Sequence, residues 1–223
     1  NSESSTYNLG NMLLTGRLFF MNYYKSTMRD IFPKWGQGFD LYYTYAPFDK
    51  IIYGSDFAFK TVFYFPGFLR NNGIKIRYNK EILDYEKYVI MNTIPFPRSY
   101  YNIISTNLDF ISIDYAAPLA YPDFNIASLF YLKRVRADFF YDYARGSDIY
   151  YIESQTAYQD NSGIKSFQSF GTELIFDYYL FRFPFMISTG VQVACKNVYE
   201  VPSFEFLFNI NIYGMSIGRK PRM

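Results

Sequence analysis

The residues of this sequence that could do chemistry are arginines and carboxylates that alternate with apolar side chains. The stretch 134–144 is the clearest case, and its alternate positions hold Arg134, Arg136, Asp138, Phe140 and Asp142. Side chains two residues apart lie on one face of a strand, so charges of both signs share that face. A guanidinium can bind a carboxylate through two parallel hydrogen bonds. The spacing therefore predicts ion pairs along this face.

The inventory of side chains argues against catalysis. The sequence contains no histidine and a single cysteine, Cys195. Without histidine, no Ser-His or Asp-His machinery can be assembled, and no cluster of His and Cys can bind a metal. No glycine-rich phosphate loop is present, and the acids of residues 145–167 lack the spacing of a calcium loop. We therefore expect a protein that is not an enzyme and has no metal or cofactor.

The elements that must position the charged residues are β-strands. Alternation with a period of two dominates the sequence, and no stretch approaches the roughly 18 consecutive apolar residues of a membrane helix. Nine strands are predicted, near residues 13–24, 39–46, 56–65, 73–80, 105–116, 132–144, 168–180, 186–194 and 203–213. The predicted fold is all-β and antiparallel, in a single domain that covers residues 1–223.

The aromatic content is compatible with a membrane barrel and with a water-soluble sheet, and two further details favour the barrel. The chain of 223 residues contains 25 Tyr and 25 Phe but one Trp. Aromatic side chains are frequent at interfaces between an apolar phase and water, such as the two rims of a transmembrane barrel. Strands of about ten residues and charges of both signs on the polar faces also suit a membrane barrel with a wet lumen. An aromatic-rich soluble β-sandwich is the alternative, because its strands would alternate in the same way.

The connections between the predicted strands are uneven in length. Residues 66–72 and 181–184 form short turns, whereas residues 81–104 and 145–167 form long polar loops. Bacterial barrels place short turns in the periplasm and long loops outside the cell, so we expect the two long loops to be extracellular. The net charge of +2 without blocks of like charge argues against nucleic acid as a partner. Residues 1–5 do not begin with an initiator methionine and lack the basic and apolar regions of a signal peptide. We therefore expect a processed chain or a fragment.

From Pro97 onward the sequence resembles the barrel of the bacterial surface-antigen superfamily, which contains outer-membrane assembly factors and two-partner secretion transporters. Pro97–Tyr100 (PRSY) is similar to the Arg-Gly-aromatic tip of that family's sixth extracellular loop. Ser112–Pro118 (SIDYAAP) is similar to the Ser-x-Glu-Tyr-Arg-x-Pro pattern of the next strand. Phe140–Ala144 (FYDYA) is similar to the Phe-x-Asp-x-Gly of the strand after that. The first ninety residues resemble barrels of Bacteroidota outer-membrane proteins only in general texture.

The resemblance implies an incomplete barrel in the outer membrane. Five predicted strands follow the Pro97–Tyr100 loop, as in the family, and four precede it. A family member of about sixteen strands has eleven before this loop. We therefore expect the chain to be the C-terminal portion of such a barrel. Its expected partners are outer-membrane lipid and other protein subunits or missing N-terminal domains.

The resemblance also implies a site between the loop and the lumen. Carried over by position, the family's motif predicts that Arg98 meets Asp114 and Asp142, with Ser99 and Tyr100 at the loop tip. Further charges are predicted to face the lumen, where they either select solutes or neutralise one another: Lys75, Arg77, Arg134, Arg136, Asp138, Glu173 and Asp177. The expected function is protein translocation, barrel assembly or scaffolding of an outer-membrane complex. A diffusion or uptake channel and a soluble binding protein are the alternatives.

Overall fold

The computed structural model describes residues 12–24, 27, 29–47, 54–84, 92–101, 103–153, 156–160, 163–181, 183, 185–212 and 215–218. These residues form twelve strands and, within the described ranges, no helix. The strands are β1 (Leu14–Tyr23), β2 (Gly36–Tyr45), β3 (Asp56–Pro66), β4 (Gly73–Leu83), β5 (Ile103–Ala120), β6 (Phe124–Ile126), β7 (Phe130–Glu153), β8 (Thr156–Asp160), β9 (Lys165–Leu180), β10 (Met186–Cys195), β11 (Ser203–Ile212) and β12 (Met215–Gly218).

All twelve strands belong to one antiparallel sheet. The order is β1-β2-β3-β4-β5-β7-β9-β10-β11-β12, and the short strands β6 and β8 pair with β7. Each long strand thus pairs with the next long strand along the chain, as expected for strands joined by hairpins. In the part of the chain that the structure describes, β1 and β12 do not pair with each other. The sheet is therefore open.

The nine predicted strands are confirmed, with shifted ends and with three short strands in addition. The structure differs from the prediction in the segment 145–167. There β7 continues to Glu153, its end pairs with β8, and β9 begins at Lys165. Much of that segment is a β-hairpin and not an irregular loop. The segment 81–104 does contain a long connection, and its residues 92–101 lie against the sheet.

The two faces of the sheet have opposite character. One row across four strands consists of Arg77, Ser112, Asp142 and Ser169, and each of these residues is at most 1% exposed. The neighbouring row on the other face consists of Ile76, Ile113, Tyr141 and Phe170, and the last three are 38–43% exposed. We call these the inner face and the outer face. Because side chains alternate along a strand, the register fixes which residues lie on each face.

The sheet has two ends that differ in their connections. The connections after β2, β4, β7 and β10 lie at one end, called the long-loop end, and those after β1, β3, β5 and β9 lie at the short-turn end. An apolar core fills the inner face near the long-loop end, between the sheet and residues 92–101. It consists of Ala58, Ile94, Phe96, Leu108, Phe110, Ala144, Ile149 and Phe167. This core holds residues 92–101 close to the charged side chains of the inner face.

Candidate functional site: a buried ion-pair network on the inner face

Residues 92–101, called the strap, cross the inner face from β3 and β4 to β10 and β11. At the first end the Glu81 carboxylate accepts hydrogen bonds from the backbone N–H of Thr93 at 2.6 Å, the backbone N–H of Ile94 at 3.2 Å and the Asn92 Nδ2 at 3.0 Å. The Thr93 hydroxyl donates to Asp56 at 2.7 Å. The carboxylates of Glu81 and Asp56 thus accept hydrogen bonds from the first three residues of the strap.

Aromatic rings hold the strap between Phe96 and Tyr100. The Phe96 and Phe167 rings meet edge to face with centroids 5.6 Å apart, and Tyr100 meets Phe167 in the same way at 5.2 Å. Lys196 places its Nζ atom 4.7 Å from the centroid of the Tyr100 ring. Aromatic pairs of this geometry contribute about 0.5–1.5 kcal/mol beyond the area they bury. Tyr100, predicted at the loop tip, therefore lies against the sheet.

Arg98 lies at the centre of the inner face and is 7% exposed. Its Nη2 atom donates to Asp114, and its Nε atom lies 3.7 Å from Asp142 and 3.5 Å from Glu173. The backbone N–H of Arg98 donates to Asp142 Oδ2 at 3.1 Å. The guanidinium carbon lies 3.8 Å from the centroid of the Phe140 ring. One arginine from the strap thus binds acids on β5, β7 and β9 together.

Asp114 receives two further cations from the neighbouring strand. Lys75 lies directly opposite Asp114 and approaches it to 3.3 Å, and Arg77 Nη2 donates to it at 2.9 Å. The Arg77 Nη2 atom also donates to Ser112 Oγ at 2.6 Å, and that hydroxyl donates to Asp142 at 2.7 Å. A buried carboxylate is tolerated when its remaining lone pairs are satisfied in this way.

A second group of ion pairs lies nearer the short-turn end. Arg134 binds Asp177 through Nε at 2.7 Å and through Nη2 at 2.6 Å, and Ser188 donates to the same carboxylate at 2.6 Å. Arg136 binds Asp138 at 2.5 Å and lies 3.5 Å from Asp177. Taken together, the two groups balance five cations against five acids. These are Lys75, Arg77, Arg98, Arg134 and Arg136, with Asp114, Asp138, Asp142, Glu173 and Asp177.

The far end of the strap reaches the last long strands. The Ser99 hydroxyl donates to the carbonyl of Ala194 at 3.2 Å and is paired with the Ser203 hydroxyl. Tyr101 donates its hydroxyl hydrogen to Glu205 on β11. The strap therefore connects β3 with β11, across most of the sheet.

The predicted contact of Arg98 with Asp114 and Asp142 is present. Glu173 also contacts Arg98, and Lys75 and Arg77 both pair with Asp114. The sequence predicted these three residues only as separate charges that face the lumen. Sequence reasoning missed the anchor at Glu81 and Asp56. It also missed a bidentate pair between Arg17 and Asp40, with both distances 2.8 Å. Alternation in β4 placed Glu81 on the face of Arg77, but nothing in the sequence indicated that the strap would bind there.

A cavity of about 330 Å³, called the chamber, adjoins the network. Its polar lining includes Lys75, Arg98, Arg136, Glu173 and Gln192, and Ile31 and Phe32 from the β1–β2 connection cover one side. Buried polar atoms of the network that lack a hydrogen-bond partner in the described structure include Arg98 Nη1, Arg136 Nε and Asp138 Oδ1. The space is large enough for about ten water molecules, which such atoms would bind.

Within the described ranges, no group of three or more acids, cysteines and histidines could hold a metal ion. In the same residues, no helix is long and apolar enough to cross a membrane. Searches against family models, curated proteins and solved structures found no match to this chain. The resemblance to the surface-antigen superfamily therefore rests on the three short motifs and on the order in which they occur.

Proposed function

We propose that the chain is the C-terminal part of a larger outer-membrane β-barrel that resembles the surface-antigen superfamily. The observation that carries this proposal is the opposite character of the two faces, because charges are buried on the inner face while apolar side chains are exposed on the outer face. Examples on the outer face are Phe139 at 54%, Leu174 at 40% and Phe206 at 70% exposure. Lipid would cover such a face, and the charged face would line a polar lumen.

A soluble sandwich accounts less well for these two faces. In a sandwich the apolar face packs against a second sheet and the charged face meets water. Here the charged face is the buried one, and no second sheet covers the outer face in the part of the chain that the structure describes. Exposed apolar patches of this extent are rare on soluble monomers.

The open edge supports the proposal that strands are missing from this chain. Every residue of β1 except Met21 is exposed, so neither face of this strand is covered. An unpaired strand edge cannot remain in the hydrocarbon region, because each free N–H and C=O group costs several kcal/mol there. Further strands must therefore pair with β1 if the sheet spans a membrane. A complete barrel of about sixteen strands would supply them.

The strap favours a role in handling proteins over an open diffusion pore. It crosses the inner face and fills the lumen of the proposed barrel near the long-loop end, where solutes would otherwise pass. We propose that the barrel is not an enzyme and serves protein translocation, barrel assembly or scaffolding, with other subunits or N-terminal domains as partners. The diffusion channel remains the second candidate, because the chamber beside Arg98 and Glu173 is polar.

The single tryptophan provides the test of membrane insertion. Trp35 is 53% exposed at the short-turn end of β2 and packs edge to face with Phe65, with centroids 5.6 Å apart. In liposomes of phospholipids brominated on the acyl chain, we expect strong quenching of its fluorescence. Bromine near the headgroup should quench more than bromine near the bilayer centre, because Trp35 lies close to the rim.

A matched variant controls for nonspecific quenching. Tyr199 is 98% exposed in the β10–β11 connection. Tyr199→Trp in a Trp35→Phe background should be quenched by aqueous iodide and not by brominated lipid. Equal response of the two tryptophans to iodide, with none to lipid, would overturn the membrane proposal. Steady ion conductance of the wild-type protein in planar bilayers would favour the channel over the plugged barrel.

A further inference from the structure

The β1–β2 connection also folds onto the inner face, from the short-turn end. The carbonyl of Arg29 accepts a hydrogen bond from the Tyr121 hydroxyl at 2.9 Å and from Arg134 Nη1 at 3.5 Å, and Arg134 also reaches the carbonyl of Asp30 at 3.4 Å. The Arg29 guanidinium lies 5.7 Å from the centroid of the Tyr121 ring. Residues 29–35, called the β1–β2 loop, therefore rest on the ends of β5 and β7.

Phe32 anchors the β1–β2 loop on the other side. Its ring lies 5.9 Å from the Tyr64 ring, and Lys75 Nζ lies 4.9 Å from its centroid. The backbone passes close to β4, since a Cβ atom at position 73 would lie 3.1 Å from the Phe32 Cβ. Ile31 and Phe32 thus cover the chamber on the side that faces away from the strap.

The cations beneath this loop have stronger partners elsewhere. Arg134 binds Asp177 at 2.6–2.7 Å but reaches the loop carbonyls only at 3.4–3.5 Å. Lys75 is paired with Asp114 and contacts the loop at the Phe32 ring. If the loop moved away, neither cation would lose its carboxylate. The loop can therefore leave without exposing an uncompensated buried charge, which is the costly event in such networks.

We infer that residues 29–35 form a movable cover that gates the chamber at its short-turn end. With the cover in place the chamber is narrowed at its short-turn end, and displacement of the cover widens access from that end for small water-soluble molecules. Because the chamber lies in a lumen only if the chain is a membrane barrel, the role as a gate rests on the proposed function. The position of the cover on β4 does not depend on a membrane.

The first test measures access to the chamber. Gln192 lines the chamber and is 4% exposed. In a Cys195→Ser background, Gln192→Cys should react slowly with a charged maleimide. Adding Phe32→Ser should make the reaction at least about tenfold faster, the factor that corresponds to about 1.4 kcal/mol in the opening of the cover. Phe68→Ser is the control, since Phe68 is 88% exposed at the same end and its loss should leave the rate unchanged.

The second test locks the cover. Phe32→Cys with Gly73→Cys, again with Cys195→Ser, should form a disulfide, because the two Cβ atoms need to separate by only a few tenths of an ångström. Phe32→Cys with Ile74→Cys should not, since Ile74 lies on the outer face. A missing Phe32–Gly73 cross-link would overturn the inference. The inference would also be overturned if Arg98→Met accelerated labelling of Gln192→Cys and Phe32→Ser did not. In that case the reagent would enter from the side of the strap.

The two proposals can fail separately. If Trp35 is not quenched by brominated lipid while the cross-link forms and Phe32→Ser accelerates labelling, the membrane proposal fails and the cover on the chamber stands. If Trp35 is quenched but labelling of Gln192→Cys is fast in every variant, the barrel stands and the cover is rejected.

Discussion

The strap and the β1–β2 loop both lie on the inner face, but different forces hold them. In the strap, Arg98 binds three carboxylates of the sheet, and the first residues of the strap donate three hydrogen bonds to Glu81. In the described residues, the β1–β2 loop meets the inner face through two long contacts between Arg134 and carbonyl groups, a Tyr121 hydrogen bond and ring contacts. If the strap left, Glu173 would lose Arg98 and Glu81 would lose three hydrogen-bond donors, whereas the cations under the loop would keep their carboxylates. Which of the two segments is fixed therefore depends on the partners left for the buried charges and not on depth of burial alone.

The largest expected effect comes from Arg98→Met. The substitution keeps an apolar stem but removes the cation that Asp114, Asp142 and Glu173 share. Breaking a buried ion pair by removing one partner costs about 3–5 kcal/mol. Amide hydrogen exchange in peptides that cover residues 92–101 should therefore accelerate by about a hundredfold or more, since each 1.4 kcal/mol is a factor of ten.

Arg98→Lys sharpens this result. Lysine keeps the charge but cannot reproduce the planar fork of donors, so its effect should lie between those of arginine and methionine. Unchanged exchange of the strap in Arg98→Met would show that the apolar core alone holds it. The strap would then differ from the β1–β2 loop in its apolar contacts and not in its ion pairs.

A smaller effect is expected from Glu81→Gln. The amide keeps one acceptor oxygen but turns an NH₂ group toward donors of the strap, and an unmade hydrogen bond in a buried site costs about 1–3 kcal/mol. Exchange at residues 92–94 should accelerate about tenfold or more, with little change at Arg98. Lys80→Gln is the matched control, because its pair with Asp109 at 3.1 Å is exposed and contributes at most about 1 kcal/mol.

The smallest effect is expected from Tyr121→Phe. The ring stays under the Arg29 guanidinium, and only the hydroxyl that donates to the Arg29 carbonyl is lost. A hydrogen bond of this kind contributes about 0.5–1.5 kcal/mol, so exchange at residues 29–35 should rise a few-fold. Exchange of the strap should not change. If hydrogen exchange accelerated in the strap as much as in the loop, the two segments would open together.

The long strands could be predicted because their alternation is locally encoded. In β9, for example, Leu174 and Phe176 alternate with Glu173 and Asp177, and the pattern defines both the strand and its two faces. The strand β6, with three residues, is too short to show a period. The end of β7 was missed because Gly146, Ser147 and Asp148 interrupt the alternation, although Gly146 and Ser147 still pair with β5.

The candidate site could be predicted only in part. Arg98, Asp114 and Asp142 were found together because three motifs occur in a known order. Glu173 was known to lie on the charged face, but its contact with Arg98 depends on how the strap crosses four strands. Local sequence does not encode such a path, and a shift of one residue in register would turn every side chain of a strand to the other face.

The path of the strap also sets an order of events during folding. Ser99 contacts Ala194 and Ser203, which lie 95 and 104 positions later in the chain. These contacts cannot form until β10 and β11 have paired, and closing so long a loop is slow because its entropy must be lost before the contacts form. The acids that receive Arg98 belong to strands that are made earlier. We therefore expect the strap to dock late, with Arg98 bound to its acids before Ser99 reaches β10 and β11.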